Sequence, residues 1–169
     1  MSKVYNEWSK INRIEPVNGK EKPMRLTNYT DYSLRVLLYL ASKKNNELSN
    51  IKEIADIYGI SKNHLMKVIY ELGKNGYIDT IRGRNGGIRL AKSPEKINIG
   101  EVVRRTEEDF HLVECFDSEK NACIITPVCG LKHVLNEALQ AYFSVLDQYT
   151  LNDLTHNKEA LQTLLHQDG

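Results

Sequence analysis

Between Asn50 and Leu90 the chain reads NIKEIADIYGISKNHLMKVIYELGKNGYIDTIRGRNGGIRL, and the fold is decided there. Asn50 followed three residues later by Glu53 makes a capping-box-like start. Ile51, Ile54, Ala55 and Tyr58 then share one helical face, and Gly59 supplies a left-handed stop. Ser61 caps a second helix, in which Leu65, Val68, Ile69 and Leu72 recur at the helical period. Two amphipathic helices joined by a short glycine-containing turn follow the helix-turn-helix plan. The outward positions of the second helix are Lys62, Asn63, His64, Lys67, Tyr70, Glu71 and Lys74. Most of them donate hydrogen bonds and one is acidic, whereas an ordinary solvated face would interleave Glu with Lys.

Tyr77 to Arg82 alternates in the manner of a strand, Gly83-Arg-Asn-Gly-Gly87 turns, and Ile88-Arg-Leu90 returns. Taken alone, Gly86 and Gly87 mean only a tight turn. Placed after the two helices, the hairpin is the wing of a winged helix: the second helix enters the major groove and the wing reaches phosphates or the adjacent minor groove. The candidate DNA contacts are therefore Ser61, Lys62, Asn63, His64 and Lys67 on the helix, with Arg82, Arg84, Asn85 and Arg89 on the hairpin. Charge agrees. From Ser61 to Lys92 seven basic residues face two acidic ones, a net +5, while Glu107 to Gly169 carries a net −8 and the whole chain only +1. A compact basic block in a nearly neutral protein is the electrostatic footprint of a nucleic-acid site.

Upstream, Thr27 or Asn28 can cap a helix whose Leu34, Leu37, Leu38 and Ala41 form one stripe, with Asp31 in its first turn, where a carboxylate suits the helix dipole. Residues 1–23 are polar and unpatterned and read as a flexible N-terminal extension. Downstream, Ile97-Asn-Ile99 is strand-like and leads into a short helix from Glu101 to about Glu108. From Cys129 onward Leu131, Leu135, Ala138, Tyr142, Val145 and Tyr149 recur in a heptad seam flanked by Val134, Leu139, Phe143 and Leu146. That face is wider than one neighbour covers, which predicts a homodimer. A last helix is expected over Asn157 to Gln167.

All three cysteines, Cys115, Cys123 and Cys129, lie within fifteen residues in the pattern Cys-x7-Cys-x5-Cys. Asp117, Ser118, Glu119, Lys120, Asn121 and Pro127 around them argue for an exposed loop, which favours a shared ligand over three packed core thiols. Three soft thiolates suit an iron–sulfur cluster or zinc and leave a fourth ligand to be found. His133, four residues after Cys129, would complete a Cys3His zinc site. A thiol-only redox device without metal also remains open. The chain has no run of eighteen apolar residues, no secretory leader pattern, no nucleophile elbow and no phosphate loop. It reads as a cytoplasmic protein that does not enter a membrane and is not an enzyme.

From Met24 to about Leu165 the sequence resembles the winged-helix iron–sulfur transcription repressors of bacteria. The resemblance rests on Met24-Arg-Leu-Thr-Asn-Tyr-Thr-Asp-Tyr-Ser-Leu-Arg35, Ser61-Lys-Asn-His-Leu-Met-Lys67, Arg82-Gly-Arg-Asn-Gly-Gly-Ile-Arg-Leu-Ala91 and Gly100-Glu-Val102. The cysteine spacing is similar to that of the family's nitric-oxide-sensing branch. The resemblance implies a homodimer that binds a palindromic double-stranded operator while an iron–sulfur cluster is intact and releases it when nitric oxide attacks. It further implies Cys115, Cys123 and Cys129 as cluster ligands, Asp31 of the partner subunit as the fourth, and a [4Fe-4S] cluster in preference to [2Fe-2S]. The expected architecture is mostly α with a small β wing. A winged helix-turn-helix domain over 24–92 follows the extension at 1–23, and the cluster-binding loop and long dimerisation helix occupy 93–169.

Overall fold

The computed structural model describes residues 25–165; the extension expected over 1–23 lies outside the described residues. Helix α1 (Asn28–Ser42) is capped by Thr27, whose hydroxyl accepts from the Thr30 N–H at 3.3 Å. It is buried over more of its circumference than one stripe, with Val36, Leu37, Tyr39, Leu40 and Ala41 all inside and Leu34 and Leu38 only partly covered. The reason is position. Neighbours pack around α1 on several sides, so residues outside the expected stripe are covered as well.

Helix α2 (Ile51–Tyr58) and helix α3 (Lys62–Lys74) form the helix-turn-helix. Asn50 caps α2 by accepting from the Lys52 N–H at 2.8 Å, and Gly59 at φ +62° ends it. The capping box is not completed. The Glu53 carboxylate instead accepts from the Tyr39 hydroxyl at 2.5 Å and from Lys43 Nζ at 3.2 Å, which ties α2 to α1. Ser61 caps α3 through the His64 N–H at 3.3 Å, and Leu65, Val68, Ile69 and Leu72 are buried as the period requires.

Strands β1 (Ile78–Ile81) and β2 (Gly87–Leu90) pair antiparallel, Ile78 opposite Leu90 and Ile81 opposite Gly87. The wing is fastened to the body rather than free. Ser49 and Ile88 exchange backbone hydrogen bonds at 2.8 and 3.0 Å, and Asn46 brackets the Leu90 backbone at 2.9 and 3.1 Å. Gly87 permits this approach, since a Cβ there would lie 2.7 Å from the Ser49 carbonyl oxygen.

Helix α4 (Ile99–Thr106) begins two residues before the expected start and is capped by Asn98. Two short 3-10 turns then lead to helix α5 (Gly130–Leu146), which stops before Tyr149 because the chain turns at Asp147 to pair Asn98 with Thr150. Helix α6 (Leu151–Leu154) carries a complete capping box between Thr150 and Asp153, and α7 (Lys158–Leu165) follows. Ile97, Ile99, Val102, Leu151 and Leu165 belong to the same buried cluster as Leu37, Leu72 and Ile88. The chain is thus mostly helical with a small two-stranded wing.

Candidate DNA interface and thiol segment

The exposed side of α3 begins at its cap. Ser61, Lys62, Asn63, His64 and Lys67 are all exposed, and so are Arg82, Arg84, Asn85 and Arg89 on the wing. The structure therefore places every candidate DNA contact on open surface. Arg89 is partly engaged with Asp79 across the hairpin at 3.7 Å. Among the described residues, Lys62, Lys67, Arg82 and Arg84 form no ion pair with a carboxylate, so their charge is available to an anionic ligand.

Sequence reasoning placed Tyr70 on this face but missed Met66 beside it. Met66 and Tyr70, one helical turn apart on α3, are 51% and 69% exposed. With Tyr29, Asn63, Lys67 and Glu71 they line an open groove of about 760 Å³ between α3 and the start of α1. The signal was the spacing Asn63, Met66, Lys67, Tyr70, which is one stripe of the helix opposite its buried side.

The thiol segment runs from Glu107 to the start of α5. Cys115 sits in the 3-10 turn Glu114–Phe116, Cys123 precedes the turn Thr126–Val128, and Cys129 is the residue before α5. Its own polar side chains hold it. Asp117 accepts from the N–H groups of Glu119 and Lys120 at 2.9 and 3.2 Å, Glu114 from that of Ala122 at 2.6 Å, and Asn121 from that of Cys123 at 3.0 Å. All three thiols are free and half-buried. Among the described residues no group of three or more Cys, His, Asp or Glu side chains stands close enough to hold a metal ion. In donor chemistry the set fits an iron–sulfur centre, with three unbonded thiols on one segment; in placement this chain alone does not converge them. His133 is exposed on α5 and likewise joins no such group.

Asp31 lies in the first turn of α1, far from the cysteines in sequence, and is engaged within its own helix. Its carboxylate accepts from Arg35 Nε at 3.0 Å and pairs with Arg35 Nη2 at 2.8 Å. The same guanidinium stands 5.8 Å from the Tyr58 ring centroid, on the first helix of the helix-turn-helix. The start of α1 is also tied to the thiol segment, because the Thr27 N–H donates to Glu107 Oε1 at 2.8 Å.

The apolar residues around the thiols are uncovered. Ile124 is 93% and Val128 87% exposed, and along α5 Leu131, Val134, Tyr142 and Val145 are exposed too. Phe143 is the one buried residue of that 17-residue helix.

Three comparisons with known proteins bear on these features. The model of the Rrf2 family, described as iron-dependent transcriptional regulators, matches residues 26–157. The chain is 72% identical over 142 residues to the HTH-type transcriptional regulator NsrR of Bacillus licheniformis, covering 84% of this chain and 99% of that one. It is 70% identical over 142 residues to the regulator of the same name in Bacillus subtilis, covering 84% and 97%. Among solved structures, IscR of T. potens matches with a TM-score of 0.64 at 26% identity, over 82% of this chain and 91% of that one. CymR, the global cysteine regulator of B. subtilis, matches with a TM-score of 0.63 at 26% identity, over 78% and 96%.

Proposed function

The chain belongs to the Rrf2 family of transcriptional regulators, and from that premise we propose that it is an operator-binding repressor controlled by an iron–sulfur cluster that reacts with nitric oxide. It is a regulator and not an enzyme. The observation that carries the reading is the division of labour along the chain: an exposed basic helix and wing at one end of the sequence, three free thiols on one segment at the other.

On the DNA, Lys62, Asn63 and His64 at the start of α3 read base edges. Ser61, Lys67, Arg82, Arg84, Asn85 and Arg89 bind phosphates or the adjacent minor groove and set the register. A second copy joins along α5, whose seam is exposed in the single chain, so two recognition helices meet two half-sites of a palindromic operator about 34 Å apart. Cys115, Cys123 and Cys129 hold the cluster, with Asp31 of the second copy as the fourth ligand and [4Fe-4S] favoured over [2Fe-2S]. When bound, the cluster supplies iron with which nitric oxide reacts. In the single chain the Asp31 carboxylate is paired with Arg35, which would compete with the cluster for it. On this reading residues 24–92 are the DNA-binding unit, residues 93–169 the sensing and pairing unit, and the site of action is the cytoplasm. No helix among the described residues is long and apolar enough to cross a membrane.

Anaerobic purification with iron and acid-labile sulfide analysis tests the proposal. Brown protein containing both, with both lost in Cys123→Ser, is the expected result. Colourless protein containing zinc would overturn the cluster and favour the Cys3His site with His133.

A further inference from the structure

Helix α5 meets the rest of the chain near its C-terminal end, where one interlocking set of contacts holds it against α4. Arg104 sends its two terminal nitrogens to the two Asp147 carboxylate oxygens at 2.6 and 2.7 Å. Its guanidinium lies 4.2 Å from the centroid of the Phe143 ring, and Phe110 meets that ring edge-on at 4.7 Å. Asn98 caps α4 and at the same time donates to the Asp147 carbonyl at 2.8 Å. The Ile99 N–H donates to the Tyr149 carbonyl at 3.0 Å and the Leu151 N–H to the Ile97 carbonyl at 2.8 Å. Gly100 is required by this closeness, since a Cβ on it would stand 2.0 Å from Asp147 Oδ1.

The other side of α4 is packed into the DNA-binding body, because Ile99 and Val102 belong to its buried core. The ion pair itself is 41% and 43% exposed, and a surface pair of that kind adds little to stability. What it supplies is direction. A bidentate fork stacked on a ring fixes orientation in a way that a point charge does not.

Direction matters because α5 is long. Its 17 residues span roughly 25 Å at the helical rise. A swing of about 10° at the clamped end moves the far end by about 4 Å over that length. That exceeds the roughly 3.4 Å step between base pairs.

We propose that Arg104, Asp147 and Gly100 are positioning residues that set which half-site spacing the protein accepts, by fixing the direction of α5 on the DNA-binding body. The inference rests on reading α5 as the pairing helix of an operator-bound dimer.

The test is a set of operators whose half-sites are moved apart or together by one base pair, titrated at constant salt with wild-type protein, Arg104→Met, Gly100→Ala and Arg104→Lys. Wild type should lose roughly tenfold or more in affinity for each one-base-pair change, the scale of a strained site. Arg104→Met and Gly100→Ala should flatten that loss to about threefold or less, while still sedimenting as dimers and binding an isolated half-site as wild type does. Arg104→Lys keeps a charge over Phe143 without the fork and should fall between. Variants with the wild-type spacing profile would overturn the clamp and leave the dimer standing. Variants that sediment as monomers would show that the contacts hold the dimer together and not its direction, which also overturns the proposal. A wild-type protein indifferent to spacing would overturn the symmetric dimer and the clamp with it.

Discussion

The winged-helix body and the stretch from Glu107 to Leu146 are built on opposite terms. In the body Leu37, Leu65, Leu72 and Ile88 are completely buried, and caps and side-chain brackets such as Thr27, Ser61 and Asn46 fasten helix starts and wing from within the chain. In the second stretch the main chain is fixed by polar side chains, yet Ile124, Val128 and Leu131 stand in solvent and α5 buries Phe143 alone. A body that closes on itself can present charge outward and bind DNA as a rigid unit. A segment that leaves apolar groups and free thiols open has surface for something outside the chain, and on the proposed function a second copy and a metal centre would answer both needs.

The sharpest way to break this contrast is to cut into each region. Leu72→Ala should cost about 2 to 5 kcal/mol in urea denaturation, because a buried leucine leaves a cavity. Val128→Ala should change the stability of the dissociated chain by no more than about 0.5 kcal/mol. Equal costs would mean that the thiol segment has a core of its own. The pairing surface is next. Ala138 is exposed on α5, and Ala138→Glu should yield monomers in sedimentation that bind operator poorly; a persistent dimer would place the interface elsewhere.

On the DNA side, Asn63→Ala should cost on the order of 1 to 3 kcal/mol and relax sequence choice at one position, whereas Arg84→Ala should weaken all sequences alike and lower the salt slope by about one. Footprints unchanged in both would remove α3 and the wing from the interface.

The smallest effect tests how closed the body is. Burial, with lesser help from Glu101, pushes the Tyr77 phenol up to about 12 from its ordinary 10.0. Burial and the hydrogen bond to Glu53 move Tyr39 up as well. Both folded phenols keep their protons to higher pH than the unfolded chain does. Their contribution is therefore complete below pH 10 and is lost as pH rises through the folded values, so stability should fall on the alkaline side. Among the described residues the buried Tyr77 hydroxyl has no hydrogen-bond partner. Tyr77→Phe should accordingly be neutral or stabilising by up to about 1 kcal/mol at pH 7 and should lessen the alkaline loss. A clear loss at pH 7 would reveal a partner for that hydroxyl.

How far each region could be read in advance follows the same line. The caps at Thr27, Asn50 and Ser61, the Gly59 stop and the buried face of α3 were legible because each depends on residues within a few positions. Glu53 was misplaced because a long-range partner, Tyr39, competed with the local cap. The burial of Tyr39 and Val36 depends on α1 lying at the centre, which no local period records. Met66 escaped notice because an apolar side chain on a polar stripe looks like core until the helix is docked. At the thiol segment, spacing indicated the donor chemistry. The described residues do not bring the thiols together, and on the proposed function the groups that would do so lie beyond one chain, where neither period nor cap encodes them.

Operator affinity of anaerobically purified protein, measured before and after nitric oxide for wild type, Cys123→Ser and Asp31→Ala, tests the central claim most directly. Wild type should bind tightly and fall toward its non-specific level on exposure. Cys123→Ser should begin near that level and not respond, and Asp31→Ala should differ from wild type in both affinity and response. Wild-type affinity that nitric oxide leaves unchanged, or a Cys123→Ser variant that binds and releases as wild type does, would contradict control by the thiol segment.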